Sequence, residues 1–150
     1  MLTQPLLEKL SQLKLSAFRT AFEEQQQNPQ YAELSFEERL GLLVDIEITR
    51  RTNNRLQRRI KSARFPLQAT IADLDLSAGR GLQRAQVLQL AQGQWVQRHL
   101  NLLVLGATGT GKTYLSCALG RAACEAEFTV RYLRTSRLLQ SLELAQADGS

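Results

Sequence analysis

Apolar residues recur along this chain at intervals that assign most of it to helices. Leu6, Leu10, Leu13, Ala17, Phe18, Ala21 and Phe22 line up at helical spacing, which predicts a single first helix over about residues 5–27. Thr3 is its expected cap, and Pro5 is tolerated in the first turn. The polar run QQQNPQ, residues 25–30, predicts a turn. Ser35 followed by Glu38 is the signature of a capping box, so a second, long helix is expected to start there. Leu40, Leu43 and Val44, then Leu56, Ile60 and Ala63, give that helix a packed side. It should end by Phe65, because Pro66 disfavours helical geometry in the residue before it.

Beyond Pro66 the pattern changes. Ser77, Ala78, Gly79, Arg80 and Gly81 predict a flexible loop, and residues 82–94 a further helix, with Trp95 after it as a packing anchor. Leu102, Leu103, Val104 and Leu105 form a wholly apolar run bounded by a glycine, as expected of a strand buried on both faces of a parallel sheet. Leu115, Ala118, Leu119, Ala122 and Ala123 then return to helical spacing. Residues 129–133 alternate like a second strand, and residues 136–147 read as a last helix closed by Asp148 and Gly149. The order strand, helix, strand, helix after an all-helical start predicts an α/β domain behind a small helical one, divided at about residue 66.

Between the first strand and its helix lies the chemistry. Gly106, Ala107, Thr108, Gly109, Thr110, Gly111, Lys112 and Thr113 match the phosphate-binding pattern G-x-x-x-x-G-K-[ST] at every fixed position. Glycines let the backbone curl so that successive N–H groups point at phosphate oxygens, and the following helix adds its unpaired N–H groups and the positive end of its dipole. Lys112 would place an ammonium on the outer phosphates, and the Thr113 hydroxyl would supply one ligand to Mg²⁺. These groups hold a triphosphate; none of them breaks a bond. A Gly-rich turn that binds nothing is the competing reading, and the flanking strand and helix pattern weighs against it.

Charge adds a second feature. The net charge is +5, yet residues 50–64, RRTNNRLQRRIKSAR, carry seven basic residues and no acidic one, while the rest of the chain is slightly acidic. Arg50, Arg51, Arg55, Arg58, Arg59, Lys61 and Arg64 spread around the helix away from its packed side. A solvated face, an acidic protein partner and nucleic acid all remain open, and the arginine fork suits phosphate best. No aromatic residue interleaves the run, which favours duplex backbone contact over base stacking. Cys117 and Cys124 fit buried thiols, and His99 is isolated. The absence of a signal-peptide pattern and of a bilayer-length apolar run predicts a cytoplasmic protein without membrane contact.

The basic stretch ending RRTNNRLQRRIKSARFP, the lead-in and loop QLAQGQWVQRHLNLLVLGATGTGKTYLSCALGRAAC, and the continuation VRYLRTSRLLQSLELAQADGS together resemble the IstB family of ATP-binding helper proteins of insertion-sequence transposition. Through it they resemble the DnaC-type helicase loaders of DNA replication and other AAA+ ATPases. The resemblance implies ATP and Mg²⁺ at Gly106 to Thr113, duplex DNA on the helix of Arg50 to Arg64, self-assembly, and a cognate transposase as partner. It also implies that the acid-bearing strand, the polar sensor and the arginines needed for hydrolysis lie in a part of the family absent from these 150 residues, so the chain alone is expected to lack turnover. A helicase-loader relative and a non-catalytic DNA-binding fragment are the alternatives.

Overall fold

The computed structural model describes residues 3–76 and 81–149. Helices α1 (Thr3–Gln12), α2 (Ser16–Gln27), α3 (Phe36–Ala63), α4 (Arg84–Ala91), α5 (Gln94–Gln97), α6 (Lys112–Glu125) and α7 (Thr135–Asp148) follow in order, with a 3₁₀ turn at Pro29–Glu33. The chain forms two compact units, Met1–Arg55 and Leu56–Ser150, so the boundary falls inside α3. The loop expected over Ser77, Ala78, Gly79 and Arg80 lies outside the described residues, as does the side chain of the expected cap Thr3.

In the first unit, the single helix expected over residues 5–27 is two helices. Lys14 adopts a left-handed φ of 57°. The Leu15 N–H donates to the Leu10 carbonyl at 3.0 Å and the Lys14 N–H to Ser11 at 2.9 Å, which together make a Schellman stop. A left-handed lysine gives no glycine signal to read. The exposed start of α2 is then capped from a distance: the Ala17 and Phe18 N–H groups donate to Glu47 Oε2 at 3.1 and 3.2 Å. Glu47 is 5% exposed and shares the interior with Leu7, Leu10, Ala21 and Leu43. The long helix starts as the sequence requires, with Ser35 N–H donating to Glu38 Oε2 at 2.8 Å and Glu38 N–H to Ser35 Oγ at 3.2 Å. The turn before it is ordered by Asn28 Oδ1, which accepts from Gln30 N–H at 3.0 Å.

In the second unit, the end of α3 is tied to the segment that follows α6. Ala63 is fully buried, its carbonyl accepts the Tyr132 N–H at 2.8 Å, and Arg64 turns the chain with a φ of 56°. Phe65 then lies against Gly120 so closely that a Cβ there would stand 2.7 Å from the ring. Two neighbouring clusters form the core: Ala69, Cys117 and Ala118, and Val87, Leu115 and Leu119. Both cysteines are free and buried, and burial pushes their thiols up. The helix expected over residues 82–94 breaks at Gly93, which takes a φ of 73° and starts α5. Trp95 Nε1 donates to the Leu90 carbonyl at 2.9 Å across that break. His99, isolated in sequence, takes a φ of 54° where Leu100 N–H donates to the Trp95 carbonyl and closes the helix.

The two expected strands are the main correction. No strand is assigned among the described residues. Leu102 and Val104 pack on the second cluster, whereas Leu103 and Leu105 are 83% and 88% exposed, so the segment is covered on one face and bare on the other. Residues 129–133 behave alike, with Val130 and Tyr132 half-buried and Thr129, Arg131 and Leu133 exposed. An apolar cleft of about 410 Å³, lined by Leu102, Val104, Val130 and Tyr132, lies between the two segments. A ladder needs a partner within about 5 Å, and across this cleft neither segment has one.

Candidate nucleotide-binding site and basic helix

The loop from Gly106 to Gly111 leads into the first turn of α6. Gly109 and Gly111 hold φ angles of 82° and 89°, a region open to glycine at no steric cost, and Gly111 caps the helix. Thr110 Oγ1 donates to the Ala107 carbonyl at 2.8 Å and braces the loop from within. The Gly106 hydrogen faces Thr110 Oγ1, where a Cβ would stand 3.1 Å away. Lys112 Nζ donates to the carbonyls of Gly106 and Ala107 at 2.9 and 2.6 Å, so its ammonium folds back over the loop. An arriving phosphate would replace two neutral acceptors with charged ones, an exchange that favours release of the lysine.

A cavity of about 410 Å³ opens beside this loop. Gly106, Thr110, Gly111 and Lys112 line it, whereas Ala107, Thr108, Gly109 and Thr113 are exposed at the surface and outside its wall. The rest of the wall is Val104, Leu105, Tyr114 and Leu115 together with Asp73, Leu74, Asp75, Gly81 and Leu82. The sequence pattern does not reach the last group. Its one legible trace is the spacing of Thr70 and Asp73: Thr70 Oγ1 donates to Asp73 Oδ2 at 2.6 Å and accepts the Asp73 N–H at 3.1 Å. Leu74 and Leu82 are held in place by packing on Val87, Leu115 and Leu119. The size and mixed wall suit a nucleotide-sized ligand.

The basic residues divide into two sets. Glu47 takes Arg50 in a short ion pair and Arg51 at 2.8 Å, and these contacts with the Phe18 N–H hold its carboxyl at about 2, well below the usual carboxylate range, against the opposing effect of burial. Arg59 reaches Glu127 Oε1 at 3.4 Å. Arg55, Arg58 and Lys61, exposed and three residues apart along α3, make no ion pair with any described residue, and Arg64 stands exposed just past the helix end. The spacing of Glu47 from Arg50 and Arg51, three and four residues along one helix, is a signal that could have found the first pairings, whereas Glu127 lies too far along the chain from Arg59 to be read.

A glycine-braced loop at a helix start, with a lysine over its mouth and a cavity alongside, defines a P-loop nucleotide-binding protein. Residues 8–150 match the family described as IstB-like ATP binding protein, and the chain belongs to that family. A Pseudomonas fluorescens protein named for insertion sequence IS1162 and ATP binding is 45% identical over the whole chain. A Sinorhizobium fredii insertion-sequence ATP-binding protein is 40% identical over 99% of it, and the Pseudomonas aeruginosa protein named for IS21 is 31% identical over 93%. The chain spans 65%, 61% and 53% of the length of these three relatives. No helix among the described residues is long and apolar enough to cross a membrane.

Proposed function

We propose that this chain is the nucleotide-gripping and DNA-contacting portion of a helper ATPase for insertion-sequence transposition. The observation that carries the reading is the loop itself: left-handed Gly109 and Gly111, the start of α6 and the Lys112 ammonium converge beside a cavity of nucleotide size. Gly106 to Thr113 bind the phosphates of ATP, and the Thr113 hydroxyl, at the second residue of α6, supplies one ligand to Mg²⁺. In the complete protein, residues 102–105 and 129–133 are strands of an α/β sheet completed by further strands. In function, residues 1–66, which take in the end of α3 from the second compact unit, serve as the basic helical domain and residues 67–150 as the beginning of the ATPase domain.

Holding ATP is separate from splitting it. The acidic residues of this chain that follow the loop do not reach a bound phosphate: Glu125 pairs with Arg121 at the far end of α6, about 20 Å along the helix from Lys112, and Glu127 pairs with Arg59. Glu143 and Asp148 lie in α7. Asp73 and Asp75 line the cavity but precede the loop and end no strand, so the 150-residue chain is expected to bind MgATP without appreciable turnover. Duplex DNA lies on Arg55, Arg58, Lys61 and Arg64, while the cognate transposase and further copies of the complete protein are its partners. Binding of a fluorescent ATP analogue, with phosphate release followed in parallel, tests this reading. Saturable binding without release agrees with it; no binding, or magnesium-dependent release abolished by Lys112→Ala, contradicts it.

A further inference from the structure

Asp73 is a second polar feature of the nucleotide cavity, and nothing in the phosphate-binding pattern accounts for it. Asp73 lines the same cavity as Gly106, Gly111 and Lys112, together with Leu74, Asp75 and Leu82. The reciprocal bonds with Thr70 fix its orientation and occupy Oδ2, leaving Oδ1 without a bond to any described residue. A carboxylate accepts hydrogen bonds and repels phosphate unless a metal ion stands between them, so its direct complements on a nucleotide lie away from the charged end. The complementary groups on a nucleoside triphosphate are its N–H and O–H donors, the exocyclic amine of the base and the ribose hydroxyls. On this ground, and resting on the nucleotide reading above, we propose that Asp73 determines which nucleoside triphosphate is held, by accepting a hydrogen bond from a nucleoside donor.

Asparagine at this position keeps the shape and can still accept from Thr70, but it presents an N–H where the carboxylate presents an oxygen. The test is equilibrium binding of ATP, inosine triphosphate, 2′-deoxy-ATP, 3′-deoxy-ATP and inorganic tripolyphosphate, each with magnesium, to the 150-residue chain and to its Asp73→Asn variant. The unaltered chain is expected to prefer ATP about tenfold over the analogue that lacks the accepted donor, the magnitude of one charge-assisted hydrogen bond. Asp73→Asn should remove that preference and leave tripolyphosphate affinity within about twofold. Inosine triphosphate as the discriminated analogue assigns the bond to the base amine, and either deoxy compound assigns it to the sugar. Equal weakening of every ligand, tripolyphosphate included, would place the carboxylate at the metal or in the fold and overturn the proposal. So would an ATP preference unchanged in the variant. If the unaltered chain bound no ligand, tripolyphosphate included, the nucleotide reading itself would fall; tripolyphosphate bound as tightly as ATP would spare that reading and remove only this inference.

Discussion

The carboxylate of Glu47, in the middle of α3, accepts the backbone N–H of Phe18 at 3.2 Å and so closes the first turn of α2. One side chain thereby caps a helix, joins two helices and takes up the first two arginines of the basic run. Glu47→Gln should destabilise the chain by about 2 kcal/mol, because an amide cannot serve two guanidinium groups and two N–H groups together. Thermal unfolding followed by circular dichroism measures the loss, and an unchanged midpoint would contradict the assigned role.

The same residue sets a pH dependence. Its folded value of about 2 lies below its ordinary 4.5, so the stabilisation it gives is fully present above 4.5 and fades as pH falls toward 2. Stability of the unaltered chain minus that of Glu47→Gln should therefore shrink across pH 4.5 to 2. Denaturant titrations at several pH values read the difference, and a gap that stayed constant or widened toward acid would argue against the linkage.

Gly120 and Phe65 form a contact that tolerates no added atom. The ring edge would stand 2.7 and 2.9 Å from a new Cβ, so Gly120→Ala must displace Phe65 from the packing around Ala69 and Cys117. A loss of about 1–3 kcal/mol is expected, partly recovered by the double variant Gly120→Ala with Phe65→Leu. Chemical denaturation of the four proteins of that cycle decides it, since additive losses would mean the two residues do not meet.

The division among the arginines gives a binding prediction. Four cations, Arg55, Arg58, Lys61 and Arg64, are available to phosphate, so log affinity for duplex DNA should fall with log salt at a slope of about −4. Arg58→Ala should reduce the slope by about one, whereas Arg59→Ala, whose guanidinium is engaged by Glu127, should change it by less. Fluorescence anisotropy across a salt series reads both. A salt-independent complex would point to a partner other than a polyanion.

Local signals in the sequence carried the elements that depend on neighbours only. The Ser35 and Glu38 capping box, the glycines of the loop and the close of α7 at Gly149 were each legible from a few adjacent residues. The breaks at Lys14, His99 and Glu127 were not, because each places a left-handed turn on a residue other than glycine, where only the surrounding hydrogen bonds specify it. The nucleotide cavity was half legible: its phosphate side is a motif, while Leu74 and Leu82 arrive there through packing on α4 and α6 and Asp73 is oriented by Thr70. The strands failed for a physical reason, since alternating burial at Leu102 to Leu105 persists but pairing requires a second backbone that is not beside it.

That failure has an observable consequence. The amides of residues 102–105 should exchange hydrogen rapidly while those in the middle of α6, around the buried Cys117 and Ala118, are protected. Exchange followed by mass spectrometry resolves the two segments. Equal protection would mean that residues 102–105 are paired after all.

The loop amides and the Lys112 ammonium are expected to grip a nucleoside triphosphate together. Titration calorimetry of the chain with MgATP, beside Lys112→Ala, tests this most directly. A saturable heat is expected for the unaltered chain and affinity lower by about a hundredfold in the variant, with the melting temperature unchanged because Lys112 Nζ bonds only to carbonyls of its own loop. No heat from the folded, unaltered chain, or equal affinity in both proteins, would contradict it.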